Sequence, residues 1–159
     1  MYNKEGFKAL DEIGTKILMN LQKNARIPFS ELARIVGLSS PAVAERVHRL
    51  EESGYITKYH AVVDPDKMGF PIIAFINMTM NGLKLKDINE KITSIPEIAE
   101  AYHLAGDYGI MLKVLVSSAS HLGLVINKLN SFAETTTSVV LSSPVKSREL
   151  APTCDKRES

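Results

Sequence analysis

The residues best suited to chemistry are concentrated in LSSPAVAERVHRLEESGYI, from Leu38 to Ile56. In a helix, the apolar residues of this stretch form one stripe, made of Val43, Val47 and Leu50. Ser39 and Ser40 at its start offer hydroxyl and backbone N–H groups that suit a phosphate. The remaining exposed positions are Pro41, Ala42, Glu45, Arg46, His48 and Arg49. This pattern favours DNA contact, with the serines and arginines on phosphates and the other residues near base edges. A solvated face is the alternative.

Glu45 is an unexpected residue on a surface that binds DNA. In the major groove its carboxylate can accept a hydrogen bond from a cytosine amino group. It also lies four residues before Arg49, which is the spacing of an ion pair along a helix. Both roles stay open at the level of sequence.

The other reactive residue types form no catalytic or metal-binding pattern. The single cysteine, Cys154, lies in a polar tail, and the four histidines lack metal-ligand spacing: His48, His60, His103 and His121. The chain has neither a nucleophile-elbow motif nor a glycine-rich phosphate loop. We therefore predict no enzyme activity, no metal and no cofactor, and we interpret His103 as a residue at the core edge or at an interface.

The composition is that of a globular protein, with 45% hydrophobic and 23% charged residues. The sequence predicts a cytoplasmic protein, because no apolar run is long enough to span a bilayer and the first residues lack a signal-peptide core. The net charge of +1 divides into +2 for residues 1–63 (nine basic, seven acidic) and −1 for residues 64–159 (ten and eleven). This asymmetry is too small to indicate DNA binding by itself.

The first third of the chain has helical periodicity. It predicts three helices, over residues 11–23, 28–37 and 39–54. Asp11 is the expected N-cap of the first, and the turn at Gly37 allows the close crossing of a helix-turn-helix, although any small helical bundle fits the same periodicity. Alternation after the third helix predicts a strand from Tyr55 to Asp64.

Beyond this strand the pattern alternates between strands and helices. We predict strands at residues 72–80, 97–105, 110–116 and 135–142, with helices at 84–95 and 118–130. The order β-α-β-β-α-β packs as a four-stranded antiparallel sheet with both helices on one face, as in ferredoxin-like domains. Because Ile73 and Phe75 make the other face apolar as well, we expect a second subunit to cover it.

The predicted fold class is therefore α+β, with a helix-turn-helix (winged-helix-like) domain before a ferredoxin-like domain. The predicted boundaries are residues 1–63 for the first domain with its strand, 64–71 for the linker, 72–145 for the second domain and 146–159 for a polar tail. We expect the tail to fray.

Several short motifs recur in the order and spacing of one family. They include Leu10-Asp11, Glu31-Leu32-Ala33, Val36-Gly37-Leu38-Ser39, Gly54-Tyr55-Ile56, Asp64-Pro65, Gly106-Asp107-Tyr108 and the T-x-T of Thr135 and Thr137. Together they extend over residues 10 to 145 and resemble the Lrp/AsnC (leucine-responsive, feast/famine) family of transcriptional regulators.

The resemblance implies a sequence-specific DNA-binding regulator whose C-terminal domain binds a small molecule, such as an amino acid, between subunits. The implied effector residues are Gly106, Asp107, Tyr108, Gly109, Thr135 and Thr137. It also implies a homodimer that assembles to an octamer through the C-terminal domain.

Three residues depart from the family pattern. Gly14 stands where members commonly have a second acid, and Glu45 stands where many have a basic residue, so operator preference does not transfer. Gly109 replaces the last acid of the usual G-D-Y-D loop, which removes one partner for an effector's ammonium group.

Two alternatives lie outside gene regulation. Some haem-biosynthesis decarboxylases, which act on a tetrapyrrole, resemble the same family in both domains, and their helix-turn-helix need not bind DNA. A module whose helices bind another protein also fits the pattern. Affinity for DNA that falls steeply with salt distinguishes the regulator from both.

Overall fold

The computed structural model describes residues 10–79, 85–106, 109–145 and 147–151. The chain divides into two compact units. Val62–Pro144 forms one, and the described residues on either side of it form the other.

The N-terminal unit is a helix-turn-helix domain, as predicted. Its helices are α1 (Glu12–Lys23), α2 (Phe29–Val36) and α3 (Ser40–Glu52). Gly37 ends α2 with a φ of 73°, a left-handed conformation that glycine adopts without strain, and the turn leads directly into α3. The helices share one core, in which the most deeply buried residues are Ile17, Leu32 and Val43.

The strand predicted from Tyr55 to Asp64 is wrong, because this stretch forms no strand in the structure. Alternating side chains show only that a segment can have two different faces, whereas a strand also needs a neighbour with which to exchange backbone hydrogen bonds. The N–H of Ile56 instead donates to the carbonyl of Leu50 in α3 at 3.0 Å. The described chain therefore carries no wing beside its helix-turn-helix.

The segment predicted as a linker, Asp64–Pro71, forms a hydrogen-bonded turn. The N–H of Met68 donates to the carbonyl of Asp64 at 3.2 Å, and that of Phe70 donates to the carbonyl of Pro65 at 2.8 Å. These short-range bonds give the segment a defined local structure.

One residue of the predicted frayed tail is held in place. The N–H of Leu150 donates to Oε1 of Gln22 at 2.8 Å, and Nε2 of Gln22 donates to the carbonyl of Leu150 at 3.0 Å. A side-chain amide on α1 thus pairs with a peptide group of the tail, within the same unit.

The second unit contains an antiparallel four-stranded sheet in the order β2-β3-β1-β4. Along the chain its elements are β1 (Ile72–Thr79), α4 (Leu85–Thr93), β2 (Ile98–His103), β3 (Ile110–Val116), α5 (Ala119–Asn130) and β4 (Glu134–Val139). The predicted order of elements and the antiparallel sheet are confirmed, and β3 has the predicted bounds. β2 and β4 are shorter than predicted, and the pairing of β2 with β3 is irregular between Ile98 and Glu100.

Both helices of this unit pack on one face of the sheet. Alternate residues of β1 and β3 enter a single core with the inner side chains of α4 and α5, among them Ile88, Ile92, Leu122, Val125 and Leu129. Ile73 and Phe75 alternate with the buried residues of β1, so they lie on the face that the helices leave open.

Candidate nucleic-acid interface and effector site

Helix α3 is capped and oriented by its own sequence. Ser39 is the N-cap, since its hydroxyl accepts a hydrogen bond from the N–H of Ala42 at 3.4 Å, and Pro41 occupies the first turn, where its missing N–H does no harm. Val43, Val47 and Leu50 are buried in the core of the N-terminal unit. The opposite, polar side of α3 is therefore exposed.

A groove of about 570 Å³ runs along part of that side. Four of the predicted DNA-binding residues line it: Ala42, Glu45, Arg46 and Arg49. The other wall comes from the start of α1, with Leu10, Asp11 and Gly14, and from Leu50, Ser53 and Tyr55. The predicted residues Ser39, Ser40, Pro41 and His48 do not line the groove, so the structure divides the predicted surface into two parts.

The exposed charges of α3 are paired within the helix. Nε of Arg49 lies 3.0 Å from Oε1 of Glu45, which is one of the two arrangements that the i,i+4 spacing leaves open. Nε2 of His48 lies 3.2 Å from Glu52, and its Nδ1 lies 3.9 Å from Glu51.

Arg46 has a partner that helical periodicity does not reveal. Its Nη1 lies 2.7 Å from Oδ2 of Asp11, the residue whose Oδ1 accepts from the N–H of Gly14 and so caps α1. This N–H and then Arg46 hold the pKa of Asp11 below its ordinary value, so the carboxylate is ionised at neutral pH. The only sequence signal was Asp11 as a predicted cap, and nothing in that signal places it beside α3.

Tyr59 ties the stretch after α3 back to that helix. Its hydroxyl donates to Oε1 of Glu51 at 2.9 Å. Burial, with a smaller effect of the Glu51 carboxylate, raises the pKa of Tyr59 to about 12. The hydroxyl therefore stays protonated and remains a donor at neutral pH.

The predicted effector residues lie partly at one end of the sheet. The N–H of Gly109 donates to the carbonyl of Met78 in β1 at 3.1 Å, and Thr135 of β4 is the register partner of the same Met78. Thr137 lies two residues further along β4, opposite Ile76. Asp107 and Tyr108 lie outside the described residues, and Gly106 has a φ of 135°.

The hydroxyl of Thr135 already has a partner, because it donates to Oδ1 of Asn130 at the end of α5 at 2.7 Å. Thr135 and Thr137 pair with the buried residues of β1, so they belong to the helix-covered side of the sheet. The structure thus places Gly109 and Thr135 on either side of β1, about two strand spacings apart.

The open face of the sheet is apolar around one charged cluster. Nζ of Lys113 lies 2.8 Å from Oε1 of Glu100, and the hydroxyl of Tyr102 also donates to Glu100. Lys113, followed by Tyr102, lowers the pKa of Glu100. Ile73 and Phe75 of β1 are half-buried on the same face.

Two of the histidines are engaged by neighbours in the second unit. His121 places Nε2 2.9 Å from Glu97 and Nδ1 3.1 Å from the hydroxyl of Ser117, and it lowers the pKa of Glu97. His103 lies 3.0 Å from Oδ1 of Asn89. In the described part of the chain, no three His, Cys, Asp or Glu side chains come together as a metal site would require. No helix in that part is long and apolar enough to cross a membrane.

Comparison with known proteins assigns both units to one family. The AsnC-type helix-turn-helix domain matches residues 10–51, and the Lrp/AsnC ligand binding domain matches residues 73–150. The HTH-type transcriptional regulator FL11 of Pyrococcus furiosus is 36% identical over 122 residues, which cover 77% of this chain and 81% of FL11. The HTH-type transcriptional regulator LrpC of Bacillus subtilis is 35% identical over 133 residues, which cover 84% of this chain and 92% of LrpC.

Solved structures agree with the sequence comparison. The structure of LrpC from B. subtilis superposes with a TM-score of 0.82 at 33% identity, covering 87% of this chain and 99% of LrpC. The L-Met complex of the transcriptional regulator NMB0573 from Neisseria meningitidis superposes with a TM-score of 0.83 at 26% identity, covering 89% and 96% of the two chains. The chain belongs to the Lrp/AsnC family of DNA-binding transcriptional regulators.

Proposed function

We propose that the chain regulates transcription by laying the exposed side of α3 on DNA. The observation that carries this assignment is the helix-turn-helix itself, in which a buried stripe fixes α3 and leaves Arg46 and Arg49 exposed beside a groove. The arginines and the Ser39–Ser40 end bind phosphates, while Pro41, Ala42, Glu45 and His48 approach base edges. Since its relatives are prokaryotic regulators, the proposed location is the cytoplasm.

Replacing Arg49 with alanine tests this assignment. Arg49→Ala removes a phosphate contact and leaves Glu45 without its partner, so affinity for every duplex falls and the salt dependence becomes flatter. Fluorescence anisotropy with labelled duplexes at several salt concentrations measures both quantities. Lys16→Ala, which removes a cation from α1 that pairs with Glu12, is the control. Unchanged affinity and salt slope in Arg49→Ala would show that α3 does not hold DNA through this residue.

We further propose that the second unit binds an amino acid near the end of the sheet where Gly109 and Thr135 lie on either side of Met78. The match to a ligand binding domain and the L-Met complex of NMB0573 support this choice of ligand. A thermal-shift screen of the twenty amino acids tests it, because a ligand at one hundred times its Kd stabilises the folded state by about 2.7 kcal/mol. If no amino acid raises the Tm while one does so for Gly109→Asp, the glycine has removed amino-acid sensing. Failure of both proteins would contradict the proposed ligand class.

The assembly that we propose is a homodimer, with two copies packed through the open sheet face, which goes on to form an octamer. The half-buried Ile73 and Phe75 on that face support the proposal, because exposed apolar surface of this kind marks interaction sites. Sedimentation velocity with and without the amino acids found in the screen measures the state. A monomer at micromolar concentration would contradict it.

We propose that the chain has no enzyme activity. Both histidines that motivated the tetrapyrrole decarboxylase alternative have neighbours within hydrogen-bond distance, His103 with Asn89 and His121 with Glu97 and Ser117. Absorption spectroscopy of the protein mixed with haem precursors tests the alternative. Stoichiometric binding of a tetrapyrrole would overturn the proposal.

A further inference from the structure

Asp11 uses its two carboxylate oxygens for two different tasks. Oδ1 accepts from the N–H of Gly14 at 2.7 Å and caps α1, whereas Oδ2 lies 2.7 Å from Nη1 of Arg46 on α3. Both Asp11 and Arg46 line the groove beside the exposed side of α3. A negative charge therefore lies next to a guanidinium that we assign to a DNA phosphate.

Gly14 makes this close arrangement possible. A Cβ atom at position 14 would lie 2.9 Å from Oδ1 of Asp11 and 3.2 Å from the Cγ atom of Leu10. The first distance is shorter than real Cβ contacts, so any other residue would displace the carboxylate. The glycine keeps Asp11 both in its capping position and within reach of Arg46.

The charges of α3 make Arg46 important for DNA affinity. The helix carries three acids, Glu45, Glu51 and Glu52, but only two arginines, and both arginines have a carboxylate partner. A phosphate that approaches Arg46 meets the Asp11 carboxylate at the same guanidinium. Because the pair is largely exposed, at 36% for Arg46 and 55% for Asp11, it adds little rigidity, and its main effect on an incoming phosphate is repulsion.

We propose that Asp11 holds down the phosphate affinity of Arg46 and thereby weakens binding to DNA of arbitrary sequence. This inference rests on the proposed role of α3 in DNA binding. Phosphate contacts supply nearly all of the non-specific affinity of a DNA-binding protein, so the carboxylate on Arg46 limits how much of the protein is retained on such DNA.

The matched variants are Asp11→Asn and Glu12→Gln. Each removes one negative charge from the start of α1, but only Asp11 contacts Arg46, since Glu12 pairs with Lys16 at 2.7 Å. Asparagine is as good an N-cap as aspartate, so the fold is retained, and a thermal melt verifies this. The probe is a pool of random-sequence duplexes, with affinity measured by fluorescence anisotropy from about 50 to 200 mM salt.

Asp11→Asn is expected to bind the pool about two- to fivefold more tightly than wild type at the lowest salt. The slope of log affinity against log salt becomes steeper by up to about 0.9, the value of one phosphate contact. Glu12→Gln shows a smaller change. In an Arg46→Ala background, Asp11→Asn and Glu12→Gln have equal effects, because the guanidinium that distinguishes them is gone.

Three results would overturn the inference while leaving DNA binding by α3 intact. They are equal effects of Asp11→Asn and Glu12→Gln in the wild-type background, weaker binding by Asp11→Asn, and persistence of the Asp11→Asn effect without Arg46. Weaker binding would mean that Asp11 positions Arg46 for the phosphate. If neither wild type nor any variant binds the duplexes, the proposed DNA-binding role fails and the inference fails with it.

Discussion

The exposed side of α3 and the open face of the sheet are both accessible surfaces, but they differ in how charge is arranged. On α3, Arg46 and Arg49 pair with carboxylates that a phosphate must replace or approach. On the sheet, the Lys113–Glu100 pair is set among apolar residues, and Tyr102 donates a further hydrogen bond to Glu100. The first surface has to rearrange its charges to bind a polyanion. The second has already neutralised its charge and can be buried against a protein with less loss of hydration.

The largest expected effect comes from the apolar part of the sheet face. Phe75→Ser removes an aromatic side chain whose burial is worth about 1.5–3 kcal/mol, and a two-fold interface loses it twice. The dimer Kd should therefore rise at least about 100-fold, as measured by sedimentation equilibrium. The control, Phe29→Ser, changes an exposed phenylalanine at the start of α2. Equal dimer stability in wild type and Phe75→Ser would mean that the open face is not the interface.

A charge reversal tests whether the neutral pair on the sheet matters to assembly. Lys113→Glu puts a second acid beside Glu100 and should weaken dimerisation about tenfold or more, since like charges in an interface repel. The double change Lys113→Glu with Glu100→Lys restores an opposite pair and should recover most of the loss. Lys86→Glu on α4, on the helix side of the sheet, controls for net charge. A double variant no better than Lys113→Glu would refute the role of the pair.

Removal of the α1 cap affects the other surface through stability. Asp11→Ala should lower the free energy of unfolding by about 1 kcal/mol. The folded state lowers the pKa of Asp11, first through the N–H of Gly14 and then through Arg46. Its contribution is therefore fully present above the ordinary pKa of 3.8 and is lost as pH falls through the folded-state pKa. Thermal melts should show a constant Tm difference from wild type near neutral pH that shrinks below about pH 4. A difference independent of pH down to full protonation would contradict the assignment.

The smallest expected change in total affinity follows from Glu45→Ala. If Glu45 accepts from a cytosine, sequence preference changes at one or two base pairs while affinity for random DNA stays within about threefold of wild type. Selection of bound duplexes from a random pool, followed by sequencing, measures the preference. Glu52→Ala, another acid of α3 that pairs with His48, is the control. An equal gain on every sequence would instead assign Glu45 only to the pairing with Arg49.

The two regions also differ in how far sequence could predict them. The cap at Asp11, the turn at Gly37 and the exposed residues of α3 follow from local rules, and the structure places them as expected. The pairing of Asp11 with Arg46 joins residues 35 positions apart, and no periodicity contains that information because it depends on how α1 crosses α3.

Similar reasoning applies to the C-terminal unit. Strand β3 was predicted to the residue because its buried positions alternate without interruption. The stretch from Tyr55 to Asp64 alternates as well, yet it finds no pairing strand in the described chain. The placement of Gly109 and Thr135 on either side of β1 depends on strand order, which the residue pattern alone does not specify.

The most direct test of the account compares the salt dependence of DNA binding for wild type and for the double variant Arg46→Ala/Arg49→Ala. If α3 lies on the phosphate backbone through both arginines, the slope of log affinity against log salt should be shallower by about 1.8, which is twice the value of one contact. The same slope in both proteins would contradict the central claim, because the arginines of α3 would then not be the groups that hold DNA.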